Sequence, residues 1–454
     1  MSSKLLMKEN RGLCENRMAD VRGSLSSSKK KLYFKFGDVK DGQDGQAPAI
    51  VRRVLEEEGW KEAANDKEWN LFWKSGRFTV GEYDRRRHYD QRINHFAKSG
   101  QICTKDSLVR IMRRNKSTHG RVYDFIPETY MLPNEYNKFI KSYSENRDKD
   151  TLWICKPTDL SRGQKIFIMK DIRELVYDCS SVIQKYIHNP LLVGGYKFDL
   201  RIYVLVSSCH PLNIYLFEDG LSRFGTVPYS KNTYSDIYAH LTNFSINKNS
   251  PTYEDCKDVI GPNNKWTLKR LAEFLKSNGI PVHKILLKIK ALIILSLISL
   301  PSIVPQSSSN TCFELFGFDV IVDSKFKPWL LEINTSPALG IDSFEDEDVK
   351  EPLIRDLLSV VQFNDMREPE RPTSKSMSRI KQRLHGSNKE EQKFEPKHAG
   401  LYEQIFPFNE RTDQLSGQLG AVKDSVPIVK EIVSELRTWM KSKVKDLKAE
   451  GDVY

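Results

Sequence analysis

Two mainly apolar runs near residue 320 flank a short polar connection. The first run is FELFGFDVIV, residues 313–322; the second is KPWLLEIN, residues 327–334; and the connection runs from Asp323 to Lys327. β-Branched and aromatic residues favour strands, and a short polar break between two such runs is typical of a hairpin. The pattern therefore predicts an antiparallel hairpin at residues 313–334.

Residues 32–78 alternate between strand and helix patterns. LYFKFG, from Leu32, reads as a strand; APAIVRRVLEEEGWKEA, from Ala47, has the apolar spacing of a helix that stops at Gly59; and WNLFWKSGRF follows as a second strand. A strand, a helix and a strand at this spacing form an α/β unit. We therefore expect a folded α/β domain to begin at Leu32.

The run KILLKIKALIILSLISLP, from Lys284 to Pro301, is apolar enough to be tested as a membrane span. It carries Lys288 and Lys290, which leave ten uninterrupted apolar or hydroxyl residues. A helix that crosses a bilayer needs about 20 such residues. Leucine and isoleucine on all sides instead favour a helix inside a large domain, and we expect no membrane insertion.

Composition divides the chain into four regions. Residues 1–31 are rich in Ser, Lys and Arg and predict a disordered basic leader, whereas residues 32–363 predict the folded domain. Residues 364–397 carry many charges and several prolines, which is typical of a linker. Residues 398–454 predict a partly helical basic tail, because the segment from Val426 has a helical apolar period and a basic end.

Net charge and cysteine usage narrow the class of protein. The 454 residues include 71 Lys and Arg against 60 Asp and Glu, so the net charge is +11. This excess favours an acidic partner such as nucleic acid, anionic lipid or an acidic protein tail, and charge alone does not choose among them. The seven scattered cysteines, with no CxxC pair, favour a reducing cytosol and argue against a disulfide framework or a zinc site.

Acidic and amide residues interrupt the predicted hairpin where a core strand would be apolar. Glu332 and Asn334 share one face of their strand, and folding the hairpin brings Asp319 close to Glu332. Buried carboxylates this close repel one another unless a cation lies between them, and an all-oxygen set suits Mg²⁺. The alternative is an edge hairpin with solvated acids.

A second hairpin, LWICKPTDLSRGQKIFIM, carries a basic loop. Lys156 ends the first strand, and Arg162 and Gly163 lie in the loop. Glycine lets backbone amides approach an anion, and the cations neutralise it, so the loop could cover phosphates. A surface hairpin with a basic turn is an equally good interpretation. Lys105 begins a separate helical pattern whose N-terminal amides could also face an anion.

Charged residues alternate along the strand GGYKFDLRIYVLV. Lys197, Asp199 and Arg201 share one face of it, and three charges on an otherwise apolar strand predict a polar cleft rather than a plain core. The loop AHLTNFSINK supplies three further hydrogen-bonding side chains, namely Thr242, Asn243 and Ser245.

Together these motifs resemble the tubulin tyrosine ligase-like family. KPTDLSRG, QKYIHNPLLVGGYKFDLRIYV, HLTNFSINK, CFELFGFDVIVD and KPWLLEINTSPAL occur in the order and at the separations of that family. The resemblance covers about residues 32–363, includes YDFIPETYMLP and KWTLKR, and points to the polyglutamylase branch, in particular its second member type. It implies an α/β (α+β) fold of the ATP-grasp type with N-terminal, central and C-terminal subdomains.

The resemblance also implies roles for individual residues. Arg201, Lys197 and Glu332 would be catalytic, and Mg²⁺ would be bound by Asp319, Glu332 and Asn334. The incoming amino acid, free L-glutamate, would be held by Arg201, Ser245, Lys265 and Lys350. ATP would be bound by Lys105, Lys156, Arg162, Gly163, Gln184, Lys185, Tyr186, Ile187, Lys197, Phe198, Asp199, Thr242 and Asn243.

The implied reaction is ATP-dependent ligation of glutamate to side-chain carboxylates in acidic tubulin tails. An acceptor carboxylate would attack the γ-phosphate, and the amine of glutamate would then displace phosphate from the acyl phosphate. The expected partners are tubulin and microtubules rather than nucleic acid. The expected location is the cytoplasm and cytoskeleton, with the cilium, flagellum or basal body as finer alternatives.

Two positions depart from the family pattern. The phosphate loop of the family usually reads RGxGI, whereas Lys165 replaces its second glycine here, and Thr335 stands where an aromatic residue or His is frequent. The first departure bears on loop flexibility and the second on acceptor choice. Two alternatives therefore remain open: a related glycine or tyrosine ligase, and a microtubule-binding protein with impaired catalysis.

Overall fold

A computed structural model describes most of the chain. The described residues are 31–37, 48–65, 68–85, 88–146, 151–160, 162–176, 179–253, 259–361, 363, 397–422 and 424–449. Apart from Lys31 and Lys397, the predicted leader and linker lie outside these residues.

The strands within the described residues form three sheets. They are β1 Tyr33–Phe36, β2 Lys61–Glu62, β3 Leu71–Trp73, β4 Arg92–Ile93, β5 Thr129–Leu132, β6 Trp153–Pro157, β7 Phe167–Met169, β8 Ser181–Lys185, β9 Leu192–Val193, β10 Tyr196–Cys209, β11 Leu212–Phe224, β12 Lys265–Thr267, β13 Glu314–Val322, β14 Pro328–Asn334, β15 His398–Ala399 and β16 Tyr402–Phe406.

Helices cover these sheets. In the described residues they are α1 Ala49–Glu57, α2 Val80–Asp84, α3 Lys105–His119, α4 Tyr136–Glu145, α5 Ile237–His240, α6 Phe244–Asn247, α7 Leu268–Ser277, α8 Val282–Leu297, α9 Phe344–Val361, α10 Glu410–Ser416 and α11 Val426–Ala449.

The first sheet confirms the predicted α/β unit. Its strands are all parallel, in the order β2-β1-β3-β4. α1 connects β1 to β2 and buries Ile50, Val51, Val54 and Leu55, the apolar stripe that its sequence predicts. These residues belong to one core cluster with residues of α9, so the N-terminal unit packs onto the rest of the chain.

The second sheet is small and antiparallel, with the order β5-β8-β6-β7. One face packs on α4 through a core that contains Phe139, Trp153 and Ile183. Lys156 and Gln184 project from the other face, which is therefore the polar one. The hairpin predicted from KPTDLSRG is the β6–β7 pair.

The third sheet has eight strands and carries most of the polar face predicted from the sequence. Its main order is β14-β13-β10-β11-β16-β15, with β12 paired to β11 and β9 paired to β10. Alternate residues of β10 enter different cores, because Ile202 and Val204 face one side while Tyr203 and Leu205 face the other. The sheet is therefore buried on both faces along its centre.

The apolar helix and the hairpin agree with the sequence. By length and composition alone the segment 282–302 could cross a membrane, but 72% of its apolar window is buried inside the protein. It contains α8, which is a core helix, as predicted. β13 and β14 form the predicted antiparallel hairpin. Together with the three sheets, these elements confirm the expected mixed α/β fold class.

The C-terminal segment contains strands in addition to the helix expected from the sequence. β16 pairs with β11 and extends the third sheet, and β15 pairs with β16. α11 begins at Val426, as predicted, and buries Ile432 and Leu436 in the same core as α8. Residues 398–422 and 424–436 are thus part of the packed domain, because β11 offers an edge that β16 completes.

Candidate active site

The hairpin brings two carboxylates face to face. Asp319 on β13 pairs directly with Glu332 on β14, and a bulge follows this pair. Asp319 is 3% exposed and Glu332 is partly exposed, so the pair lies where the core meets the cleft. Asn334 Nδ2 lies 3.2 Å from Glu332 Oε1, so the amide joins the carboxylates, as predicted from the alternation of side chains.

Two arginines bind Asp319. Arg201 donates from Nε and Nη2 to the two carboxylate oxygens, at 2.6 and 3.2 Å, and Arg223 Nη2 donates to Oδ2 at 2.7 Å. Arg223 also donates to Asp199 at 2.8 and 2.5 Å. Sequence reasoning missed Arg223. The only signal for it is its place opposite Asp199 once β10 and β11 are paired.

Strand pairing arranges these charges in two rows. Lys265 on β12, Arg223 on β11 and Asp199 on β10 form one row across the sheet. Arg201, Asp319 and Glu332 form the next row, two residues further along β10. Since residues two apart on a strand share a face, both rows line the same polar cleft.

The two carboxyls titrate in opposite directions. Burial would raise the pKa of Asp319, but the positive charges of Arg201 and Arg223 outweigh burial and hold this pKa well below its ordinary value. Burial raises the pKa of Glu332, and the negative charge of Asp319 raises it further. The arginines therefore favour the charged form of Asp319, whereas the surroundings of Glu332 disfavour its charged form.

Two predicted phosphate-binding lysines lie near Glu332. Lys156 Nζ donates to Gln184 Oε1 at 2.9 Å, and Lys105 Nζ donates to the Leu160 carbonyl at 2.7 Å. Burial lowers the pKa of Lys156 to about 8 and also lowers the pKa of Lys105, while the charge of Glu332 opposes both changes. The structure thus places both cations within electrostatic range of one carboxylate.

The loop between β6 and β7 has an unusual backbone. Arg162, Gly163 and Lys165 all have positive φ, at 58°, 78° and 53°. Gly163 packs closely on α6, where an added Cβ would clash with Ile246 and lie 3.2 Å from Asn243 Oδ1. Only glycine combines this φ with this close approach. The loop is therefore held against the segment that carries Asn243.

A buried network surrounds Lys197. Its Nζ donates to Tyr186 Oη at 2.8 Å and to the His240 carbonyl at 2.6 Å, and Tyr186 Oη lies 2.8 Å from His240 Nδ1. Burial lowers the pKa of Lys197 to about 7, against the raising effect of Asp199. Sequence reasoning also missed His240, although it lies in the motif AHLTNFSINK, two residues before Thr242.

The remaining residues predicted to bind ATP differ in burial and in contacts. Thr242 is buried, and Asn243 caps the start of α6. Lys185 Nζ lies 3.4 Å from Asn146 Oδ1. The Phe198 side chain packs against Phe224 in the core, so only its backbone can face the cleft. Ile187, which follows Tyr186 in the sequence, is partly buried.

The residues predicted to bind the incoming amino acid fall into two groups. Lys265 and Lys350 each bind the buried Asp346, at 2.6 Å in both cases, and Lys350 also donates to the Gly340 carbonyl at 2.5 Å. Ser245 instead donates to the Arg162 carbonyl at 3.0 Å and so belongs to the phosphate loop. Arg201 lies in the row next to that of Lys265. Arg223 is the residue paired with Lys265 in the first row.

The hairpin fits Mg²⁺ by its donor chemistry. Within the described residues no three His, Cys, Asp or Glu side chains cluster, so a cation between Asp319 and Glu332 has two carboxylates and the Asn334 amide as protein donors. Mg²⁺ typically takes few protein ligands and completes its octahedron with water and phosphate oxygens. The raised pKa of Glu332 is the observation that favours an additional cation here.

Comparison with known proteins gives a consistent result. The sequence model of the tubulin-tyrosine ligase family matches residues 84–370. The human protein named "Probable tubulin polyglutamylase TTLL2" is 40% identical over 340 residues, which are 73% of this chain and 57% of that protein. Its mouse counterpart is 40% identical over 337 residues, which are 72% of this chain and 62% of that protein.

A more distant relative matches the same region. Human "Tubulin polyglutamylase TTLL5" is 38% identical over 328 residues, which are 69% of this chain and 25% of that protein. The chain therefore spans less than two thirds of the length of each of these relatives.

Proposed function

This chain belongs to the tubulin-tyrosine ligase family, as its motifs predicted, and we propose that it is an ATP-dependent tubulin polyglutamylase. It joins the amine of free L-glutamate to a glutamate side-chain carboxylate in the acidic C-terminal tail of tubulin. The observation that carries this proposal is the pair of charged rows, in which Asp319 and Glu332 meet beside Arg201 and Arg223.

The nucleotide lies in the cleft between the second and third sheets. Lys105, Lys156 and Arg162 neutralise the phosphates, with Gly163 allowing the loop to approach them. The lowered pKa of Lys156 supports this role, because a partly buried ammonium whose hydrogen bond goes to the neutral Gln184 amide gains most from an incoming anion. Residues 184–187 receive the adenine ring.

Mg²⁺ would be held by Asp319, Glu332 and Asn334, and it would supply positive charge to neutralise the transferring phosphoryl group. Two arginines lower the pKa of Asp319, whereas burial and the charge of Asp319 raise the pKa of Glu332. The carboxylates therefore bind the metal ion and do not act as nucleophiles.

The chain contributes positioning and electrostatics to the reaction. The acceptor carboxylate attacks the γ-phosphate, ADP leaves, and the glutamate amine displaces phosphate from the acyl phosphate. Arg201 and Arg223 neutralise the anions that meet at this point, and pre-set charges in a buried cleft are more effective than mobile ones in water. The carboxylates of glutamate are bound by Arg201, Ser245, Lys265 and Lys350.

Tubulin and microtubules are the proposed partners. The tubulin polyglutamylase names of the relatives and the net charge of +11 both support an acidic protein tail as acceptor. The protein then acts in the cytoplasm on the cytoskeleton, with the cilium, the flagellum or the basal body as alternative finer locations.

Mass spectrometry of tubulin peptides tests the proposal. The chain is incubated with tubulin, Mg²⁺, ATP and one of glutamate, glycine or tyrosine. We expect a mass increase from glutamate alone, confined to tail peptides and dependent on ATP. Tubulin whose tails have been removed by proteolysis is the matched control. Incorporation of glycine or tyrosine identifies a different ligase, and no incorporation of any of the three contradicts the ligase proposal.

A further inference from the structure

Three side chains beside the proposed nucleotide site form a closed hydrogen-bonded unit. Lys197, Tyr186 and His240 are 7%, 5% and 1% exposed, so bulk water does not compete with their contacts. Lys197 Nζ binds Tyr186 Oη at 2.8 Å and the His240 carbonyl at 2.6 Å. Tyr186 Oη and His240 Nδ1 are 2.8 Å apart. The backbone carbonyl of His240 therefore binds Lys197 directly, and the His240 side chain is linked to Lys197 through Tyr186.

The proton positions in this unit follow from its partners. His240 Nε2 lies 3.1 Å from the Ser230 carbonyl, which can only accept a hydrogen bond, so Nε2 carries a proton. Burial and the charge of Lys197 lower the pKa of His240 to about 4, so the ring is neutral at pH 7 and Nδ1 is an acceptor. Tyr186 therefore donates to Nδ1, and its oxygen accepts from Lys197.

This arrangement accounts for two of the three N–H groups of Lys197. The Tyr186 oxygen takes one and the His240 carbonyl takes another, so the third remains for a ligand. The charged groups that face the unit are Asp199 and Lys156 on the side of Lys197, and Asp236 on the side of His240. Tyr229 faces Tyr186.

We propose that His240 is a positioning residue of the nucleotide site, where its neutral Nε2–H tautomer orients the Tyr186 hydroxyl so that Lys197 holds an ammonium towards the bound nucleotide. The inference rests on the proposed function, since it takes Lys197 to be a nucleotide contact. His240 itself does not touch the nucleotide. Its effect passes through Tyr186, because a hydroxyl that donates its own proton becomes a better acceptor for the lysine.

Calorimetric titration of the full chain with ATP and Mg²⁺, without glutamate or tubulin, tests this role between pH 6 and 9. The pKa of Lys197 is about 7, so ATP affinity should fall above that pH as binding begins to require proton uptake. His240→Ala and Tyr186→Phe should each weaken ATP binding at pH 7 by roughly tenfold and move this fall to lower pH. The double variant should bind no more weakly than the worse single variant, because both changes break the same link.

His240→Gln is the conservative variant. Its amide can donate to the Ser230 carbonyl and accept from Tyr186, so we expect affinity within about twofold of the wild type and an unchanged pH profile. His398→Ala, at an exposed histidine on β15, is the matched control. Thermal unfolding checks each variant, and Tyr186→Phe, which keeps the ring, carries the test if His240→Ala does not fold.

Each outcome decides between the two proposals. Wild-type affinity and pH profile in His240→Ala, full additivity in the double variant, or a His240→Gln defect as large as that of His240→Ala would overturn the positioning role. Failure of the wild-type chain to bind ATP would overturn the nucleotide site itself and, with it, this inference. If the wild-type chain binds ATP and the variants bind it with the same affinity, only the role of His240 is overturned.

Discussion

Glu332 lies directly opposite Asp319 in the β13–β14 pair, yet the pKa values of the two carboxyls move in opposite directions. Two arginines hold Asp319 ionised, while burial and the neighbouring negative charge make Glu332 hard to ionise. The two carboxylates therefore have different roles. Asp319 binds both arginines, and Glu332 is the carboxylate whose charged form the surroundings disfavour.

Glu332→Gln should abolish ligation and leave the fold intact. The amide keeps the volume of the side chain but loses the charge that holds Mg²⁺. Glutamate incorporation into tubulin measures the loss, and thermal unfolding without ligands measures the fold. Glu218→Gln, at an exposed position on β11, is the matched control. Retained incorporation with an unchanged Mg²⁺ requirement would contradict the metal assignment.

Arg201→Ala should impair glutamate use more than nucleotide binding. Loss of a charge-assisted contact to a carboxylate predicts a KM for glutamate higher by roughly 10- to 100-fold, with little change in ATP affinity. Arg223 continues to neutralise Asp319 in this variant. Steady-state kinetics with each substrate varied in turn, together with ATP titration, separates the two effects. Equal losses for glutamate and ATP would show that Arg201 serves the whole cleft.

Arg223→Ala is the informative comparison for Arg201→Ala. It removes hydrogen bonds to both Asp199 and Asp319, so two buried carboxylates lose their shared partner. Breaking a buried ion pair by removing one member costs about 3–5 kcal/mol. We therefore expect Arg223→Ala to lower the free energy of unfolding more than Arg201→Ala does, because Arg201 binds Asp319 alone.

Much of the cleft could be predicted because strand periodicity is a simple rule. The alternation of residues along β10 and the β13–β14 pair places Lys197, Asp199 and Arg201 on one face and Asp319 opposite Glu332. The start of α3 at Lys105 was equally visible from its helical pattern. These features depend on neighbours in sequence or on one hairpin, so little tertiary information is needed.

The missed features depend on contacts distant in sequence. Arg223 acquires a role only when β11 pairs with β10, and His240 only when its loop meets Tyr186. The sequence did not indicate β16 for the same reason, since an open edge on β11 is a property of the assembled sheet. Similarly, Lys265 and Lys350 share Asp346, which lies 81 residues from the first of them.

Added salt should weaken microtubule binding steeply if the net charge of +11 and the basic run Arg85, Arg86 and Arg87 attract an acidic tail. The Debye length falls from about 10 Å at 0.1 M salt to about 3 Å at 1 M, so exposed charges lose most of their attraction while buried ones lose less. Reversal of Arg85, Arg86 and Arg87 to Glu should weaken binding further; Arg86 and Arg87 lie outside the described residues. Co-sedimentation measures binding, and ATP titration of the same variant is the control. Indifference to salt and to the reversal would indicate an apolar partner surface.

Lys165→Gly should stabilise the protein slightly and keep the phosphate loop unchanged. Lys165 has a φ of 53°, so it already adopts the left-handed backbone that a glycine takes easily. This conformation costs an L-residue about 1–2 kcal/mol, partly offset because glycine makes the unfolded chain more flexible, so a gain of up to about 1 kcal/mol is expected. Lys165→Asn tolerates the same φ and separates charge from conformation, whereas Lys165→Val should destabilise. A destabilised glycine variant would contradict the strain argument.

Lys156→Met should change how stability depends on pH. The pKa of Lys156 is lowered by burial to about 8 in the folded chain, from an ordinary value near 10.5. Between these pH values the unfolded chain binds more protons at this site, so the free energy of unfolding of the wild type rises with pH. Below pH 8 the lysine is charged in both states, and folding pays the full cost of burying that charge.

The methionine variant lacks this titration but keeps a side chain of similar length. Its stability relative to the wild type should therefore be highest near pH 7 and decline by on the order of 1 kcal/mol or more as the pH approaches 10.5. Lys269→Met, at an exposed position on α7, is the matched control, and urea unfolding at a series of pH values without ligands is the measurement. Because any fixed packing change shifts the curve by a constant, only its slope matters. If the difference in the free energy of unfolding between the variant and the wild type does not vary with pH, the pKa of Lys156 is not lowered in the folded chain. The assignment of Lys156 to the phosphates would then lose its main physical support.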